Sequence, residues 1–320
     1  MLKNQINPNA KKSAAVFDTR FKWSFLQPRF WTSWLFIALS YVIYLLPVSL
    51  VDTIGSKLGD TLRKTNKKRF LIAYKNISLC YTDFSETEKK QFLIKHFRAY
   101  GRSILHYGFI LWGSKKVVEQ RIEFHGKHYI DNAIDQGNSA IVMTAHCVGL
   151  ETAVSSVSRN YHLTGPFKDM KNPVINWFIA KRRTRYGAVL YSREAGLRPI
   201  IKDVKAGYVM GYLPDEDLGR EQSIFVPFMG VEKATIPVLG RLTKTCNAKV
   251  FPCICCYDEK QSKYHIHVLP ALENFPLGDD QQDTLAMNKA LESLIDICPE
   301  QYFWTLRFFK TRPEGEARFY

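Results

Sequence analysis

The chain has 320 residues, room for one large domain or two small ones, and carries a formal charge of +15. Apolar residues make up 46% of it, which excludes a disordered basic tail, since such a tail cannot fold around a core. The excess of Lys and Arg calls for an anionic partner: nucleic acid, an anionic membrane surface, a phosphorylated lipid or an acidic protein.

Residues 1–30 form a basic segment (Lys3, Lys11, Lys12, Arg20, Lys22, Arg29) with few structure signals. Residues 31–51 read WTSWLFIALSYVIYLLPVSLV, without a charge and with Trp31 and Trp34 at the entry. That is about the ~20 residues of a membrane-spanning helix, and the tryptophans suit an interfacial belt. We expect 31–51 to be a membrane-anchoring helix and 52–320 the domain that carries the chemistry. Pro47 can end the helix early, so that it dips into the bilayer instead of crossing it. Both flanks are basic, so charge does not orient the segment. A cleaved signal peptide would lie nearer the terminus and end in small residues.

Ser85 and Glu88 form a capping box for a long amphipathic helix running to about Trp112. Strand-like and helix-like runs then alternate. Strands are expected at 139–145, 187–192, 207–213, 249–257 and 264–269, and helices near 151–158, 194–206, 235–246 and 283–298. The pattern predicts an α/β fold with a central mixed sheet flanked by helices. Seven cysteines, an odd number in a long chain, suit a reduced, cytosol-facing location. Cys253 and Cys256 make a Cys-x-x-Cys inside an apolar strand with no second pair, so buried core thiols are expected and not a metal site. His265 and His267 alternate on one strand face without an acidic or Cys partner at ligand spacing, and read as structural.

The sharpest local signal is Met143-Thr-Ala-His146-Cys-Val-Gly-Leu-Glu151. A His leaving an apolar strand stands where open α/β sheets place their active sites. Residues five apart on a helix diverge by about 140°, but across a strand-to-helix turn they can meet, and Gly149 gives that bend its freedom. A neutral imidazole accepts a proton from a hydroxyl, and a carboxylate on its other nitrogen fixes the tautomer and stabilises the imidazolium. Alone the spacing is weak, because a structural His and a surface Glu also produce it.

His146-x4-Glu151 resembles the His-x4-Asp/Glu signature of glycerolipid and lipid A acyltransferases. Further blocks are similar to the late-stage lipid A biosynthesis acyltransferases of the lauroyl/myristoyl type: Gln27-Pro-Arg-Phe-Trp31, Asn172-Pro-Val-Ile-Asn-Trp177, Lys181-Arg-Arg183-Thr-Arg185, Pro214-Asp-Glu-Asp-Leu-Gly219, Phe225-Val-Pro-Phe228, Pro299-Glu-Gln-Tyr302 and the run from Arg307 to Gly315. The resemblance covers nearly the whole chain. It implies a glycerolipid acyltransferase-like fold and the transfer of an acyl chain from acyl-acyl carrier protein to a hydroxyl of a hydroxyacyl chain on a lipid A precursor. In that reading His146 is the general base, Glu151 orients it, and Arg183 stabilises developing charge or holds a substrate phosphate. Arg185, Asp215, Asp217, Lys310 and Arg312 are candidate substrate contacts, with Asp215 and Asp217 also able to organise the arginine; the Lys67–Arg69 cluster is a further candidate contact. The implied partners are acyl carrier protein, a phosphorylated lipid A precursor glycolipid and the membrane, with no nucleic acid, no metal and no cofactor. The implied place is the cytoplasmic face of a Gram-negative inner membrane, and slow hydrolysis of the acyl thioester is expected as a side reaction.

No Gly-x-Ser-x-Gly elbow, dinucleotide fingerprint or phosphate loop is present. Nucleic-acid binding would explain the charge but not the apolar segment. Two alternatives stay open: a related enzyme that acylates glycerol phosphate, and a membrane-bound interaction protein with a degenerate site.

Overall fold

The structure, a computed structural model, describes residues 18–320; Lys3, Lys11 and Lys12 of the basic segment lie outside the described residues. Two 3-10 turns, Trp23–Leu26 and Pro28–Phe30, lead into α1 (Trp31–Leu45). Leu46 is extended, with ψ 150°, and Pro47 opens the next helix, α2 (Val48–Thr65). Proline lacks the donor that would continue the first helix and forces the residue before it out of the helical region. The expected anchor over 31–51 is therefore corrected: its apolar run is split between two helices. At 15 residues and ~1.5 Å per residue, α1 falls short of a hydrocarbon core of ~30 Å. No helix among the described residues is long and apolar enough to cross a membrane.

The chain continues through α3 (Lys67–Cys80) into α4 (Glu86–Trp112), which carries the expected capping box: the Glu88 amide donates to Ser85 Oγ, and the Ser85 amide to Glu88. Glycines bring α2 and α4 together. A Cβ on Gly59 would lie 2.1 Å from the Phe97 carbonyl oxygen, and one on Gly101 2.2 Å from that of Gly55. The helices pack backbone against backbone, where no larger side chain fits.

The remaining elements are α5 (Lys115–Gln120), β1 (Ile122–His125), α6 (Lys127–Asp135), β2 (Ser139–Thr144), α7 (Leu150–Asn160), β3 (Leu163–Phe167), α8 (Pro173–Arg183), β4 (Val189–Ser192), α9 (Arg198–Lys205), β5 (Val209–Tyr212), β6 (Ile224–Phe228), β7 (Val231–Thr235), α10 (Leu239–Cys246), β8 (Ala248–Asp258), β9 (Lys263–Val268) and α11 (Asp280–Ile295). Seven strands form one sheet in the order β1-β9-β8-β2-β5-β3-β4. The five from β8 to β4 are parallel, β9 runs against β8, and β1 is parallel to β9. The sheet is mixed, as expected; β6 and β7 form a separate antiparallel hairpin.

Helices cover both faces of the central strands, so β2 is apolar over residues 140–143 and β8 over residues 250–256. Ile141, Met143, Ile254 and Cys256 pack into one core, and Ala140, Val142, Cys253 and Cys255 into the other. Cys253 and Cys256 thus point to opposite faces and cannot share a metal. Cys256 forms a disulfide with Cys298, which corrects the expectation of reduced thiols at these two positions; Cys253 and Cys255 are free and buried. A third cluster joins Phe25 and Ile37 to Leu111, Phe167 and Trp177, tying the N-terminal elements to the rest of the fold.

Candidate active site

The carboxyl ends of β2 and β5, neighbours in the sheet, face one another. Beyond β2, the backbone passes Ala145, His146 and Cys147 before entering α7. The segment after α11 holds it there: Phe303 donates to the His146 carbonyl (2.9 Å), Val148 donates to that of Gln301 (2.9 Å), and Cys147 bridges Tyr302. Gly149 has φ −87° and ψ 2°, a conformation open to any residue. Its role is not the conformational freedom expected for it. A Cβ there would meet the Cys255 carbonyl oxygen at 2.2 Å, so glycine lets the turn lie against β8.

Beyond β5 the chain reaches Asp215, which is fully buried. One carboxylate oxygen accepts from the His146 amide (2.7 Å), and the other lies 2.6 Å from Nδ1 of the same ring. The carboxylate on His146 is thus Asp215, not Glu151 as expected. Nδ1 faces a carboxylate and so carries the proton, leaving Nε2 as the basic nitrogen. Burial lowers the imidazole's proton affinity, but Asp215 outweighs it, and the pKa lies above the ordinary 6.5. Burial likewise works against the Asp215 carboxylate, yet contact with His146 holds it below the usual range. A second imidazole, His106, bridges Asp52 (2.9 Å) and Tyr264 (2.7 Å). Its side chain is only 6% exposed, against 22% for His146. Both its nitrogens are occupied, and the contact fastens α4 to α2 and β9.

Glu151 stands in the first turn of α7, where a carboxylate favours the positive end of the helix. Both its oxygens are taken by the Arg183 guanidinium at the end of α8; Nε donates at 2.9 Å. Such a bidentate pair fixes both groups in one plane. Burial opposes the Arg183 charge, but Glu151 more than restores it, and the guanidinium also lies 4.7 Å over the Phe167 ring. Tyr107 reaches the same carboxylate from α4. A small cavity lined by Tyr107, Leu111, Glu151, Val154, Ile179 and Arg183 opens beside the pair.

The other expected contacts fall in different places. Arg185 donates to the carbonyls of Ile110 (2.9 Å) and Leu111 (3.3 Å), satisfying the open end of α4. Asp217 accepts from the Thr311 amide (2.6 Å) and hydroxyl (2.8 Å), and so clamps the C-terminal segment. Arg312 is buried, paired with Glu316 (2.6 Å) and bonded to the Glu232 carbonyl. Arg185, Asp217 and Arg312, expected as substrate contacts, are thereby engaged in holding the fold. Lys310 is exposed. In the Lys67–Arg69 cluster, Arg69 donates to the Thr305 carbonyl (2.8 Å).

Lys233, unremarked in the sequence, is buried on β7 near Asp215 and Asp217. Burial pushes its ammonium down to about 8 even though both carboxylates oppose the shift. A lysine on a short strand next to a Gly turn carries no signal of this kind, because its partners come from the segment after β5 and meet it only in three dimensions.

A family described as bacterial lipid A biosynthesis acyltransferase matches residues 18–311. A lipid A biosynthesis acyltransferase of Haemophilus influenzae is 32% identical over 96% of this chain and 97% of its own. A lipid A biosynthesis myristoyltransferase of Escherichia coli is 32% identical over 97% and 96% respectively. A lauroyltransferase of the same organism is 29% identical over 92% and 97%.

Proposed function

The chain belongs to the bacterial lipid A biosynthesis acyltransferases, and from that premise we propose that it transfers an acyl chain from acyl-acyl carrier protein to a hydroxyl of a hydroxyacyl chain on a lipid A precursor. Its activity as an acyltransferase in secondary acylation follows from the family; the donor and the residue roles are our reading. The observation that carries it is the Asp215–His146 pair, with Nε2 free and the ring part-exposed. His146 Nε2 removes the proton of the acceptor hydroxyl. The oxygen attacks the thioester carbonyl, the carbon–sulfur bond breaks, and the thiolate leaves with the proton that His146 returns. Asp215 holds the tautomer and balances the imidazolium.

Glu151 and Arg183 act as one neutral unit beside this pair. Because Glu151 already occupies the guanidinium, we assign the two to positioning the start of α7 and the wall of the small cavity beside it. The acidic carrier and the phosphorylated glycolipid would match the positive charge of the chain. We place the protein on the cytoplasmic face of the inner membrane, with residues 31–51 lying in the interface and 52–320 carrying the chemistry.

The test is transfer from an acyl-carrier thioester to a hydroxyacylated, phosphorylated disaccharide lipid, read by mass spectrometry. His146→Ala should lower turnover ~10²–10⁴-fold, the usual contribution of a general base, with folding intact by circular dichroism. Near-parental turnover in that variant would overturn the mechanism. Transfer to glycerol phosphate in place of the glycolipid would favour the other acceptor.

A further inference from the structure

The sheet edge opposite β4 is formed by β1 and β9, paired in parallel with Glu123 opposite His265 and His125 opposite His267. In both strands the alternate residues turn inward: Tyr264, Ile266 and Val268 are buried in the core. The period-2 alternation therefore sets Glu123, His125, His265 and His267 on one face, which is part-exposed. On β9 alone the two histidines had no acidic partner. Glu123, 142 positions from His265 in sequence but its strand neighbour in the sheet, supplies one.

The donor atoms converge. His125 Nε2 lies 3.0 Å from His265 Nδ1. One Glu123 oxygen lies 3.6 Å from that Nδ1 and 4.0 Å from His125 Nε2. A zinc ion with ligand bonds of ~2.0–2.1 Å sets tetrahedral donors about 3.3 Å apart, close to this spacing. All three donor atoms fall within 4.8 Å of one another. Lys263 occupies the other Glu123 oxygen, so the carboxylate stays oriented while one oxygen faces the histidines. The remaining His265 nitrogen, Nε2, is buried without a partner, so Nδ1 is the nitrogen through which this ring reaches a ligand. The His125 ring stacks on His265 and His267, with centroids 5.3 and 5.1 Å away, which fixes its plane.

We propose that Glu123, His125 and His265 form a binding site for a divalent transition-metal ion, zinc fitting best, that fastens the edge strand β1 to β9. Imidazole and carboxylate donors with open positions suit Zn²⁺ and its first-row neighbours. A hard cation such as Mg²⁺ would want oxygen ligands instead. The site lies on β1 and β9, separated from β2 by β8, so its effect is on the sheet edge and not on the acyl transfer.

The experiment is zinc titration of the full chain, freed of any affinity tag and stripped with chelator, by calorimetry and by the visible spectrum of the cobalt-substituted protein. The parent should bind about one equivalent and melt at a higher temperature with zinc than without. His125→Asn and His265→Asn should each weaken binding at least tenfold and abolish the melting shift, while transferase turnover stays at the parental level. His128→Ala, at an exposed neighbour, controls for adventitious surface histidines and should bind as the parent does. Absence of saturable zinc binding in the parent would leave a hydrogen-bonded histidine pair only, and overturn the proposal. Binding unchanged in both Asn variants would place the metal elsewhere and overturn it equally. Circular dichroism of the variants separates loss of a ligand from loss of the fold, and His125, nearly half exposed at its side chain, is replaced without emptying a core.

Discussion

Asp215 and Glu151 offer two carboxylates for one imidazole, and the contacts they make separate their roles. Asp215→Asn removes the charge that lifts the His146 pKa, leaving burial to lower it. A base must be unprotonated to act, so turnover of the parent falls as pH drops through the raised value. In Asp215→Asn that acid limb should move to lower pH while the plateau falls steeply; an unmoved limb would mean that Asp215 does not govern the ring. Glu151→Gln should lower activity with the limb left in place, because its partner is Arg183. The same shift bears on stability. The charged His146–Asp215 pair adds stability in full below the ordinary imidazole value of 6.5, and that part is lost as pH rises through the raised value.

Among the elements, α2 and α4 depend on glycine for contact. Gly101→Ala would drive a methyl into the Gly55 carbonyl and the Gly59 backbone, and neither helix can yield without moving the other. Overpacking of this kind costs ~1–3 kcal/mol, to be read from the denaturation midpoint at unchanged slope. Arg185→Gln should also destabilise, by ~0.3–1 kcal/mol, because it uncaps α4 and removes a cation from its negative end. Affinity for a phosphorylated acceptor should be unaltered in that variant. A phosphate-binding arginine would instead show the loss in KM.

Across the whole molecule, the N-terminal helix presents an unpaired apolar stripe. Trp31, Leu35, Leu39, Val42 and Leu45 recur at helical spacing, and Leu35 is 71% exposed. We read the stripe as lying in a membrane interface, with its apolar side chains among the headgroups and acyl chains and the tryptophans at the boundary. Leu35→Ser together with Val42→Ser should reduce co-sedimentation with anionic vesicles, at up to ~1.5–3 kcal/mol per fully buried side chain. Salt above ~0.1 M should weaken the remaining, charge-driven part. Binding to vesicles equal to the parent's would remove the stripe from the contact. Point variants suit this test better than truncation, since Phe25 and Ile37 belong to the third core cluster.

The sequence alone determined what depends on near neighbours. The Ser85–Glu88 capping box needs only a turn's worth of chain, and its helix runs Glu86–Trp112 as expected. The buried central strands announced themselves as apolar runs, because both their faces are covered. Their helices followed from alternation, so the α/β class and the strand end bearing His146 were legible together. Two strands without such a run were not: β1 reads Ile-Glu-Phe-His, and β3 contains Gly165 and Pro166. The α2–α4 glycines looked unremarkable until the helices crossed. Only the tertiary structure decided which carboxylate meets His146. Glu151 is five residues away along the chain, whereas Asp215 is 69 away yet stands at the end of the adjacent strand. Strand order sets that neighbour, and strand order is a property of the packed sheet, to which the local pattern of either segment gives no access. Strand order likewise joins Glu123 to His265, whereas the packing of the β6–β7 hairpin and of the segment after α11 onto the sheet joins Lys233 to Asp215 and Cys256 to Cys298.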